Sequence, residues 1–68
     1  MWRVTIPAHE VHRWWVPECV AVVPGVSGEA ACATVARWAH CDAGVPPLRS
    51  LTAITLVCSR AERLGVVV

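Results

Sequence analysis

Apolar and polar residues alternate at the start of the chain. Trp2, Val4 and Ile6 fall on one side and Arg3 and Thr5 on the other, a period of two that predicts a half-buried strand. Ala8-His9-Glu10 reads as a turn after it. An extended pattern resumes at Val11–Val16, with Trp14 and Trp15 on opposite faces, and Pro17 interrupts it. Val11–Val23 is therefore one long strand bent near Pro17-Glu18, or two short strands. Its last part, Cys19-Val20-Ala21-Val22-Val23, is apolar throughout and stops at Pro24-Gly25.

The period then changes. Ser27 is suited to cap a helix, Glu29 lies in the first turn, and Gly44 ends an Ala-rich segment with Pro46-Pro47 close behind. These signals predict a helix over Gly28–Ala43. Ala31, Cys32, Val35, Trp38 and Ala39 share its core face, while Glu29, Ala33, Arg37 and His40 lie opposite. Leu51–Cys58, apolar apart from Thr52 and Thr55, predicts a strand in the middle of a sheet, reached by a right-handed parallel crossover. Ser59–Arg63 is polar, Gly65 is a turn, and Val66–Val68 is an added strand or a sticky, disordered end. The expected architecture is α+β: one ββαβ domain over residues 1–68, with one helix packed on a three- to four-stranded sheet.

Composition changes that picture in one respect. The chain has 68 residues, of which 56% are hydrophobic and 16% charged. A domain this small buries only about 60% of its unfolded surface. Exposed apolar patches are therefore expected, and with them a homo-oligomer or a protein partner. The net charge of +1 provides no broad field for nucleic acid or an anionic membrane. No apolar signal-peptide core stands at Met1–Pro7, and no run reaches the roughly 18 apolar residues of a membrane span. The expected location is the cytoplasm, with all four cysteines reduced. All six basic residues are Arg, and Lys, Asn, Phe and Tyr are absent, the coding bias of a GC-rich bacterial or phage gene.

Candidate chemistry is sparse. The four cysteines, Cys19, Cys32, Cys41 and Cys58, form no C-x2-C knuckle. Cys19, Cys32 and Cys58 read as small core hydrophobes. His9-Glu10-Val11-His12 is one residue short of the H-E-x-x-H zinc motif. Cys41 lies near a helix C-terminus, where the dipole does not favour a thiolate, and adjacent His40 points about 100° away from it. Pro24–Gly28 precedes a helix but lacks the phosphate-loop glycine patterns. Asp42 faces water or a cation such as Arg49. No catalytic residues, cofactor or metal are expected.

The remaining signal is aromatic. Either Trp14 or Trp15 must project away from the helix, and with His12 and Arg13 it makes a patch of the kind that anchors protein interfaces. His12, Arg13, Trp14 and Trp15, with an unpaired sheet edge, are the expected partner-binding residues. The functional expectation is a non-catalytic interaction or self-assembly module, such as a phage or mobile-element accessory protein. One alternative is a small nucleic-acid-binding regulator using Arg3, Arg13, Arg60, Arg63 and an exposed Trp. Another is a zinc-binding protein using His9, His12, His40 and Cys41.

Overall fold

In the computed structural model, which describes residues 1–65, seven elements follow one another. They are β1 (Trp2–Ile6), β2 (His9–Val11), β3 (Trp14–Val16), β4 (Cys19–Val23), α1 (Gly28–Ala43), α2 (Arg49–Cys58) and β5 (Arg60–Arg63). Val66–Val68, for which a strand or a disordered end was expected, lies outside the described residues.

β1 is the centre of a three-stranded antiparallel sheet ordered β4-β1-β5. The registers Val4↔Ala21 and Val4↔Ala61 put Val4 and Ile6 on the inner face, where both are fully buried. Arg3, opposite Val22 and Glu62, points outward and pairs with Glu62. The period-two reading of residues 2–6 thus holds. β2 and β3 form a separate hairpin, turning at His12-Arg13 rather than at Ala8-His9-Glu10. His12 takes φ 52, the left-handed conformation that a tight two-residue turn requires. Pro17 ends the hairpin before β4, so Val11–Val23 divides into short pieces.

α1 begins and ends where its signals place it. Ser27 Oγ accepts from the Ala30 N–H at 3.1 Å. Gly44 adopts φ 76, and the Val45 N–H returns to His40 O at 2.9 Å, closing the helix. At its other end Gly28 allows close approach to the sheet: a Cβ there would meet Ala61 Cβ at 3.2 Å and the Trp2 ring at 3.3 Å. Across that contact α1 lays Ala31, Cys32, Val35, Ala36 and Ala39 onto Val4, Ile6 and Val23. Each fully buried Val or Ile in this layer stabilises the fold by about 1.5–3 kcal/mol.

The class is α+β, as expected, but Leu51–Cys58 is corrected. It belongs to a second helix, α2, so two helices pack on sheets of three and two strands, and no parallel crossover exists among the described residues. Thr52, Ile54, Thr55 and Val57 are β-branched, which favours the strand reading of a short apolar run. The N-cap is Leu48, which offers no side-chain hydrogen bond, so the usual helix start signal is missing. What holds the helix is its stripe: Leu51 and Thr55, four apart, are buried. The strand completing the sheet is instead the polar Arg60–Arg63.

α2 also explains two errors on α1. His40, expected on the polar face, is buried because α2 covers that face. Trp38, expected in the core, is 53% exposed. At 100° per residue it falls just beyond Ala31, outside the half-turn running from Ala31 to His40 that meets the sheet and α2.

Candidate interaction surface and the histidine–threonine chain

β2, α1 and α2 meet at three polar side chains. His9 Nδ1 lies 2.7 Å from Pro7 O, and a carbonyl only accepts, so this nitrogen carries the hydrogen. In the neutral ring Nε2 is then an acceptor, filled by the Thr55 hydroxyl at 2.8 Å. That hydroxyl has spent its one proton, so its oxygen accepts from His40 Nε2–H. The result is a single directed chain, His40 to Thr55 to His9 to Pro7, with tautomers assigned by hydrogen-bond logic. Burial, and then the nearby His9, hold the His40 pKa below its ordinary value, keeping the ring neutral at pH 7. His40 Nδ1 has no partner among the described residues, yet it is not sealed from solvent, and the side chain lines the groove between α1 and α2.

Thr55 is fully buried with its hydroxyl engaged on both sides, an arrangement that cross-links elements rather than presenting a nucleophile. This chain was not visible in the sequence. Its only signal was a His on α1 and a Thr fifteen residues later, and that pairing has meaning only if Thr55 is helical.

The expected partner residues all lie on the β2–β3 hairpin but do not share one face. Trp15, opposite Glu10, projects outward at 59% exposure. Trp14, opposite buried Val11, turns inward and packs on the core. Arg13 sits with its guanidinium 5.7 Å from the Trp14 ring centroid, a cation–π contact. His12 is exposed at the turn. Trp15 is thus the tryptophan that faces away from the helices.

Among the described residues β4 is an edge strand, hydrogen bonded to β1 alone. Its outward residues, Val20 and Val22, are 56% and 51% exposed. A second apolar surface runs along α2, where Ile54, Leu56 and Val57 are exposed.

Of the four residues weighed for zinc, the structure brings His9 and His40 together through Thr55, while His12 is exposed at the hairpin turn and Cys41 is exposed in the groove next to His40. Among the described residues no three His, Cys, Asp or Glu side chains gather as a metal site. Of the four arginines weighed for nucleic acid, Arg3 is paired with Glu62, Arg60 shares the outer sheet face, Arg63 stands opposite Trp2, and Arg13 is on the hairpin. No helix among the described residues is long and apolar enough to cross a membrane. Comparison with known proteins finds no matching family, no matching curated protein and no matching solved structure, so the chemistry of these surfaces alone supports a functional reading.

Proposed function

We propose that this chain is a small, non-catalytic self-assembly module of the cytoplasm, joined to a second copy through β4. One observation carries the reading: an unpaired edge strand whose outward positions are both exposed valines. Such an edge is usually blunted by charge, Pro or a bulge within the strand. β4 has none of these between Cys19 and Val23; Glu18 and Pro24 stand just outside it. Antiparallel pairing of β4 with its counterpart would satisfy the free backbone groups and cover Val20 and Val22 together. Trp15 supplies a large aromatic surface of the type enriched at interface centres. An accessory role in a phage or mobile element fits the size and coding bias.

Native mass spectrometry with and without a chelator, over a concentration series, tests this. A metal-free dimer is expected, reduced to monomer by Val22→Lys with an unchanged circular dichroism spectrum. A wild-type protein that stays monomeric, or a Val22→Lys dimer as tight as wild type, overturns the assignment to β4. A chelator-sensitive zinc mass would favour the histidine and cysteine alternative.

A further inference from the structure

α1 and α2 form a helical hairpin with a groove of about 890 Å³ between them. This falls within the roughly 300–1,000 Å³ range of small-molecule sites, and apolar atoms dominate its lining. Along it, Arg49 stands at the loop end, Ala53 about one turn into α2, Arg37 and Leu56 about two turns from the loop, and Ala33 and Ala30 beyond them.

Neither arginine makes an ion pair, since Arg3–Glu62 is the one ion pair among the described residues; Asp42, on the last turn of α1, is unpaired as well. α2 starts at the loop end with no side-chain cap and no acidic residue in its first turn, while the C-terminus of α1, with Asp42, ends beside it. The groove lining therefore carries two guanidinium groups and no carboxylate, with apolar side chains running past them and the neutral His40 ring in its wall.

We infer that this groove binds a small amphipathic carboxylate, with the carboxylate held by Arg37 and Arg49 and a linear apolar body running past Leu56 toward Ala33 and Ala30. Two guanidinium groups suit bidentate carboxylate recognition. An uncharged apolar occupant would partly desolvate both without a partner. A bare inorganic anion would leave the apolar half unfilled. The site lies on the helical face and is independent of pairing through β4.

Calorimetric titration of the whole protein with decanoate, decanol and inorganic phosphate, below micellar concentrations, tests it. One decanoate per chain is expected, with decanol and phosphate each at least about tenfold weaker. Arg37→Gln and Arg49→Gln should each weaken decanoate about tenfold and leave decanol unchanged, whereas Arg60→Gln on the outer sheet face should change neither. Bound decanoate should also slow thiol labelling of Cys41, which lines the same groove. Absence of decanoate binding, equal binding of decanol, phosphate binding as tight as decanoate, or insensitivity to both arginine substitutions overturns the proposal.

Discussion

The Thr55 hydroxyl stands 2.8 Å from His9 Nε2, joining α2 to β2 across 46 positions of sequence. The same oxygen accepts from His40 on α1. One small side chain thereby ties three elements that share little other polar contact. Thr55→Val keeps the shape and removes both hydrogen bonds, leaving the His40 Nε2–H unsatisfied in a buried position. It should cost about 1–3 kcal/mol in denaturant unfolding. Thr52→Val, which loses only a local bond to Leu48 O, should stay within about 0.5 kcal/mol of wild type. Equal effects of the two substitutions would mean that the chain contributes nothing beyond helix propensity.

The neutral state of His40 makes stability depend on pH in a defined direction. Its folded pKa is lowered by burial and then by His9, from an ordinary value of 6.5. The unfolded chain therefore binds this proton more readily. The contribution is complete above about pH 6.5 and is lost as pH falls below 6.5 through the lowered folded value. Thr55 bonds its ring, His9 bonds that hydroxyl in turn, and Cys41, Arg37 and Arg49 line the same groove. Thermal melts should show wild type losing stability between pH 7.5 and 5, and His40→Gln losing less over the same interval. Parallel losses in both proteins would assign the effect to other groups.

Gly44 tests the end of α1 alone. It adopts φ 76, and a Cβ there would meet nothing within 4 Å. Gly44→Ala therefore adds backbone strain without a clash, and unfolding should show a loss of about 1–2 kcal/mol. No change in stability would show that the helix can end by another route.

The four free cysteines occupy three grades of burial. Cys41 is exposed, Cys19 and Cys58 are half-buried, and Cys32 is buried on the core face of α1. Under native conditions an aromatic disulfide reagent should consume one thiol quickly, and Cys41→Ser should remove that phase. Labelling of Cys32 at a comparable rate would show that α1 opens far more easily than its packing implies.

Much of this architecture can be read before folding. Ser27, Gly44 and the spacing of Ala31, Val35 and Ala39 are local signals, and they place α1 correctly. The alternation of Trp2, Val4 and Ile6 likewise fixes the core-facing side of β1. α2 is hidden because four β-branched residues and an uncapped start argue for a strand, while its buried stripe is only Leu51 and Thr55. Burial of His40 and exposure of Trp38 both follow from a helix that the residue pattern does not announce. The groove carries Arg37 and Arg49 together only once α2 folds back on α1, and twelve residues of separation give no hint of it. Trp15 was within reach, since adjacent strand residues must face opposite ways, but which tryptophan turned outward depended on the turn at His12-Arg13.

The two borders of the three-stranded sheet are unlike. β4 presents valines, whereas β5 presents Arg60, Glu62 and Arg63. If copies join through β4, each protomer uses up its one uncharged border, and the outer limits of the joined sheet become two β5 strands. Repulsion and desolvation of those charges oppose any third addition. Growth then halts at a closed pair, and the runaway polymer that an apolar border on both sides would invite does not form.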